Sequence, residues 1–191
     1  MSIALALSSE LIANGQTTKT DAFRQAVEFY DRGMFERAES IFSEIAASGQ
    51  DVMAKGYEAL CAVRRQSVGN RNLADQYISE YPYSGLIPQI RFYNALNLFD
   101  EQNFSTASAE FARIDMRSLK NSQVPEFIFK QAYSRFELDE CDRAEELFSK
   151  AEKMPYSDYT APSRYSLGYI EYVRKNFEDS FDWFSKAAKD P

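Results

Sequence analysis

SRYSLGYIEYVRKNFEDSFDWFSKAAKDP, residues 163–191, is the clearest copy of a pattern that recurs along this chain. It reads as two short amphipathic helices joined by a tight turn at Lys175-Asn176. The first helix carries Leu167-Gly168; the second carries Phe177, Phe181, Phe184 and Ala188 at helical spacing. Four fainter copies of this layout precede it.

Taking the small residue in the middle of each second helix as an anchor gives Ala38, Ala74, Ala107, Ala144 and Ser180, at spacings of 36, 33, 37 and 36. Four residues after each anchor stands a large apolar residue: Phe42, Ile78, Phe111, Phe148 and Phe184. Twelve residues before each stands another small one: Ala26, Ala62, Ala95, Ala132 and Gly168. Two helices of a hairpin come close only where small side chains face each other, and a large residue one turn on fills the adjacent gap. Five coincidences at matched offsets identify an internal repeat. Punctuation agrees: Pro82, Pro88, Pro125, Pro155, Pro162 and Pro191 all fall between hairpins or in first turns, where a missing N–H is tolerated. Gly33 suits a left-handed helix end, Gly49 follows the second helix, and Asn103 and Asn176 sit as N-caps would.

With its L-G step (Leu167-Gly168), its A-x-x-x-F steps (Ala38/Phe42, Ala107/Phe111, Ala144/Phe148) and a closing Pro191, the chain resembles the tetratricopeptide repeats. The resemblance covers residues 19–191 and implies an all-α, right-handed superhelical solenoid of about five helical hairpins, over residues 19–52, 53–86, 87–122, 123–158 and 159–191. Departures are visible. Arg164 stands where the family often has tryptophan, Ser180 replaces the anchor alanine, and the second repeat is degenerate at Gln66, Arg71 and Ile78. The linker Glu80-Tyr81-Pro82-Tyr83-Ser84 also resembles that of bacterial envelope repeat proteins, among them outer-membrane assembly and division-coordinating factors.

Composition restricts the function. A formal charge of −7, with no basic run, argues against a nucleic-acid partner. With no histidine, Ser-His-Asp and Cys-His catalysis and histidine metal sites are out. Cys61 and Cys141 form no metal cluster and read as two buried small hydrophobes; two repeats apart, they lie beyond the reach of a disulfide. The acidic pairs Asp139-Glu140, Glu145-Glu146 and Glu178-Asp179 read as helix starts and turns, favoured by the macrodipole. No phosphate loop and no activated nucleophile appears. The chain is therefore expected to be no enzyme, with no catalytic, metal or cofactor-binding residue.

Residues 1–18 carry a short apolar run, Ile3 to Leu7, and Ala13-Asn14-Gly15 in the small-x-small form of a signal-peptidase site. They read as the remnant of an export signal or as a frayed first helix. The former places the protein in the periplasm or at the outer membrane, the latter in the cytoplasm. No run is long enough to span a membrane.

The resemblance implies that first helices line the concave face. There the sequence places Phe92, Leu96 and Phe99; Phe129, Tyr133 and Phe136; and Tyr165, Tyr169 and Tyr172, each trio on one stripe. These stripes are core, or a trough for a protein or peptide partner, with the tyrosines the better contacts because a hydroxyl wants water or a partner. The Lys and Asn with which some family members clamp a chaperone's carboxylate tail are missing from these places. A protein-interaction scaffold is the expected function. The alternative is a self-assembling N-terminal segment of a longer repeat protein, because Phe181, Trp183 and Phe184 give the last helix an apolar end face that further repeats or a second copy would cover.

Overall fold

The computed structural model describes residues 19–49, 51–66 and 69–189. The expected export-signal remnant, residues 1–18, and the closing Pro191 lie outside them. The chain gathers into two compact units, one ending at Ile90 and the other beginning at Arg91. Among the described residues every regular element is helical. The first unit holds α1 (residues 19–31), α2 (Phe35–Ala47), α3 (Val52–Arg65) and α4 (Asn70–Glu80), and α5 (Ile87–Asp100) starts within it. The second holds the rest of α5, then α6 (Phe104–Ala112), α7 (Val124–Phe136), α8 (Cys141–Glu152), α9 (Thr160–Val173) and α10 (Phe177–Ala187). Two single 3₁₀ turns, Met116–Ser118 and Asn121–Gln123, lengthen the connection between α6 and α7.

The anchor residues decide how each pair closes. Ala38, Ala74, Ala107 and Ala144 have no accessible surface, nor have Ala26, Ala62, Ala95 and Ala132 on the first helices. Ser180 and Gly168 are buried as well. Beside them Phe42, Phe111 and Phe148 are fully buried. At the last pair the approach is closest. A Cβ placed on Gly168 would stand 2.8 Å from Cδ1 of Phe184, so the glycine is what lets that ring lie across α9. The second pair departs from the expected register: Tyr77, not Ile78, is the buried large residue. Its ring lies against Gly56, where a Cβ would stand 2.7 Å from Cζ, and its hydroxyl is 2.6 Å from Ser84 Oγ. The phenol reaches a partner that isoleucine could not, and the helix rolls to suit it.

The turns repeat as closely as the helices. Gly33, Gly69, Gln102, Asp139 and Lys175, each five residues before its anchor, are all left-handed, with φ of 76°, 81°, 60°, 60° and 66°. At four of these turns the left-handed N–H donates to the carbonyl three residues back (Tyr30, Phe99, Phe136, Tyr172), at 3.0, 2.8, 3.0 and 3.0 Å. The next N–H donates five residues back (Phe29, Leu98, Arg135, Glu171), at 2.8, 2.9, 3.0 and 2.9 Å. This is the Schellman pair of bonds, which satisfies the last carbonyls of the first helix and delivers the chain to the start of the second. At the second pair α3 ends instead on a left-handed Gln66, with φ of 53°.

Capping follows expectation at Asn103, whose Oδ1 accepts from Thr106 N at 3.4 Å. It does not at Asn176. That side chain donates to Glu171 Oε2 at 2.7 Å instead, and α10 starts with the acidic Glu178 and Asp179 in its first turn, which favours the helix through its dipole. Gly49 is not left-handed: α2 ends on a right-handed Ser48 whose hydroxyl donates to the Ile45 carbonyl. Ion pairs join neighbouring helices. Arg65 binds Glu39 at 2.7 Å, and Arg174 binds Asp142 and Glu145 at 2.7 and 2.6 Å. These pairs set register more than stability, because exposed pairs contribute at most about 1 kcal/mol each.

A left-handed L-residue costs about 1–2 kcal/mol, partly offset by the backbone entropy glycine would lose. Replacing Gln102 or Lys175 by Gly is therefore expected to stabilise the fold by roughly 0.5–1 kcal/mol each. Thermal unfolding followed by circular dichroism should show each melting midpoint up by about 2 °C; a fall would mean that these side chains, not the turn geometry, hold the hairpins.

Candidate docking groove

The nine residues expected on the first-helix stripes grade from core to surface. Phe92 is 1% exposed and belongs to the core, so it offers nothing to a partner; burial against Phe111, Phe127 and Ile128 outcompetes the groove at that position. Leu96 and Phe99 are half-buried against the same cluster. Phe129, Tyr133 and Phe136 are half-buried on α7. On α9, Tyr165, Tyr169 and Tyr172 are 59%, 43% and 56% exposed. Of the three end-face residues, Phe181 is 72% exposed. Trp183 instead packs on the α7–α9 cluster under the ammonium of Lys186, 4.1 Å from its ring, and Phe184 is held against Gly168.

Two hollows follow the line between α7 and α9 and share Tyr133, Tyr165 and Ser166. One, of about 700 Å³, is closed by Phe129, Ala161, Pro162, Phe184, Ala187 and Ala188 and is almost wholly apolar. The other, of about 540 Å³, is lined further by Phe136, Glu137, Asp139, Cys141, Tyr169 and Val173. Together they make one groove, apolar at the α10 end and acidic at the α7–α8 turn. A row of ring contacts runs beneath and beside it: Phe104–Phe99 at 5.5 Å, Phe99–Tyr133 at 5.7 Å, Tyr133–Phe136 at 6.2 Å, Phe136–Tyr169 at 5.7 Å, Tyr169–Tyr172 at 6.5 Å and Tyr172–Phe177 at 5.8 Å.

The hollow at the acidic end has a local cause. The first residue of α2, α6 and α10 is phenylalanine, and each ring packs edge-on against the last aromatic of the preceding helix: Tyr30–Phe35 at 5.4 Å, Phe99–Phe104 at 5.5 Å, Tyr172–Phe177 at 5.8 Å. At α8 the same position is Cys141. Its smaller side chain leaves Phe136 without that partner, and Phe136 keeps only the contact across to the next hairpin, with Tyr169, that Phe99 also makes with Tyr133. Cys141 is accordingly half-buried on the groove wall rather than a core residue, whereas Cys61 is fully buried.

The groove's charge is one-sided. Neither hollow is lined by Lys or Arg. The Tyr133 hydroxyl bonds the Glu137 carboxylate, and that bond, with burial, holds the phenol above its usual range. Tyr159 packs at a tilt against Phe129, ring centres 5.4 Å apart, and is pushed up to about 12, by burial first and by Glu126 next. Tyr159, Phe104, Glu137 and Ala187 carry no sequence signal for a site, and Ala188 stands out only as part of the apolar face of the last helix. The recurrence of Phe three residues before the anchor would have found Phe104; the others depend on the turn and on the end of α10.

No protein-family model and no curated protein matches the sequence. Solved structures do resemble the fold. MamA from AMB-1 superposes with a TM-score of 0.72 at 12% identity, over 91% of this chain and 92% of that one. MamA from MSR-1 superposes with 0.67 at 14% identity, over 90% and 95%. A thermophilic TPR protein of Thermus thermophilus gives 0.47 at 14% identity, over 88% and 89%. The chain is tetratricopeptide-like in fold, all-α among the described residues, with helices paired as hairpins within each unit. Among the described residues no helix is long and apolar enough to cross a membrane, and no group of His, Cys, Asp and Glu could hold a metal ion.

The two thiols should separate cleanly. Burial pushes the Cys61 thiol up to about 12, so at pH 8 it holds its proton and stays shielded, and the thiolate is the reactive form. A thiol reagent at pH 8 is expected to modify one cysteine, Cys141, in the native protein and both in denaturant. Peptide mapping that found Cys61 modified first in native conditions would contradict this packing.

Proposed function

We propose that this protein is a non-enzymatic interaction scaffold that seats a peptide or protein segment in the groove between α7 and α9. One observation carries the reading: Tyr165 and Tyr169 stand about half exposed on the groove wall, where an amphipathic ring gives large contact area at small entropy cost. One edge of each ring packs on the fold, Tyr165 on Phe184 and Tyr169 on Phe136, and the rest of its apolar surface stays wet until a partner covers it. The fold supports the same reading, since hairpin arrays present long surfaces rather than enclosed active sites.

The test uses peptides selected from a display library of random dodecapeptides on the full chain. Two variants should weaken their binding tenfold or more while leaving the helical circular dichroism unchanged: Tyr165→Ala with Tyr169→Ala, which removes the contacts, and Cys141→Phe, which plugs the groove with the residue that other hairpins already carry there. Selected peptides indifferent to both would rule the groove out.

A second reading has its own observation. Phe181 is 72% and Phe177 60% exposed, on the same helix, so α10 offers an apolar face suited to self-association. Light scattering behind size exclusion is expected to show a dimer lost on Phe181→Glu if that face is used, and a monomer in both forms if it is not.

A further inference from the structure

The repeat itself contains a worked example of how one place on this surface is filled. Between the third and fourth hairpins, the ammonium of Lys130 sits 4.4 Å from the ring centre of Phe99 and 3.0 Å from Asp100 Oδ1. Phe99 and Asp100 lie eight and seven residues before the anchor Ala107, and Lys130 lies fourteen before the anchor Ala144. One hairpin on, the matching residues are Phe136, Glu137 and Ser166. The ring and the carboxylate recur, but Ser166 brings no cation, and its hydroxyl donates back to the Pro162 carbonyl at 2.9 Å. All three of these residues line the acidic hollow, with Asp139 beside them. The neighbouring carboxylates are taken: Glu140 pairs with Arg135 and Arg143, and Asp142 and Glu145 with Arg174. Glu137 and Asp139 have no ion pair among the described residues.

We infer that the acidic end of the groove receives a lysine or arginine side chain of the docked segment, held between the Glu137 carboxylate and the Phe136 ring as Lys130 is held by Asp100 and Phe99. This rests on the proposed docking role and specifies the partner's chemistry. An ammonium or guanidinium over an aromatic face with a carboxylate alongside combines cation–π and charge-assisted attraction in a partly dried site. The apolar end, at Phe129 and Pro162, takes an aliphatic or aromatic anchor of the same segment. Phe129 on α7 and Glu137 at its C-terminal cap are eight residues apart, about 12 Å along the axis. The basic residue therefore stands about four positions from the anchor in an extended segment, or seven to eight in a helical one.

The probe is the same random dodecapeptide library, selected on the native chain, on Ser166→Lys and on Glu137→Lys, with the best peptides measured by fluorescence anisotropy. Ser166→Lys gives the fourth-to-fifth interface the cation that the third-to-fourth already has. Glu137 is exposed, so its replacement leaves the core alone. Expected are selected peptides with Lys or Arg at one of the two spacings from an apolar residue. Their affinity should fall about tenfold or more on both variants, and replacing that basic residue by Glu should restore binding on Glu137→Lys. Peptides that need Tyr165 and Tyr169 but show no basic preference, or that bind Ser166→Lys as well as the native chain, would overturn this inference and leave the docking groove standing. Peptides that ignore the tyrosines would overturn both.

Discussion

The closeness of two helices within one hairpin governs the rest of this structure. Where Ala26 meets Ala38, Ala95 meets Ala107, and Ala132 meets Ala144, neither helix carries enough side chain to hold the other away, and all six residues are sealed from solvent. Packing at organic-crystal density leaves little room for any larger group there. Once the backbones are fixed at that distance, the ring four residues on has one gap to enter, and Phe42, Phe111 and Phe148 fill it completely. Position within the hairpin then decides which side chains are left for the surface. The stripe on the first helix that flanks this contact is the one that carries Tyr165, Tyr169 and Tyr172, with Tyr165 resting on the Phe184 ring at 5.2 Å.

The turn is a second consequence of the same closeness. A short connection between tightly spaced antiparallel helices needs one residue in the left-handed region, and the chain supplies it at the same offset in all five hairpins. In the sequence only the two glycines of this set, Gly33 and Gly69, advertise the conformation. Gln102, Asp139 and Lys175 adopt it without any compositional mark. Tertiary closure imposes on them a backbone that their own preference disfavours, and only the repeat register, not the residue type, could have shown it.

The same contrast applies to the groove. The small-residue ladder and its large neighbours were readable because five copies vary around one pattern, and the helices they imply are the helices observed. Burial was readable less well, because a stripe that is aromatic throughout gives no sign of where the core stops. Phe92 and Tyr165 occupy equivalent positions, yet one is sealed and the other half exposed. The difference comes from neighbours: the 3₁₀-linked segment brings Leu119 and Val124 into the cluster around Phe92, whereas Tyr165 has Phe184 on one side and open groove on the other. Asn176 shows the limit in polar form. Its sequence position is that of a cap, but its Nδ2 donates to the Glu171 carboxylate, a charge-assisted bond that orients the amide, and its side chain makes no cap bond to α10.

Repetition with local exceptions also explains how a surface of this kind acquires specificity. The notch between the third and fourth hairpins is filled by a ring at the start of the second helix, Phe104, and by a cation bridging back to the previous hairpin, Lys130; the next notch is not. Here Cys141 omits the ring and Ser166 omits the cation, and both omissions fall on the same notch. Each alone would leave a small dent; together they join the apolar hollow to the carboxylates of Glu137 and Asp139 at the α7–α8 turn. The residues that remain there, Phe136 and Glu137, are the same pair of groups that elsewhere in the chain bind a lysine. A repeat protein can thus make a docking site by leaving out what its neighbours contain, and the missing side chains describe what the site accepts.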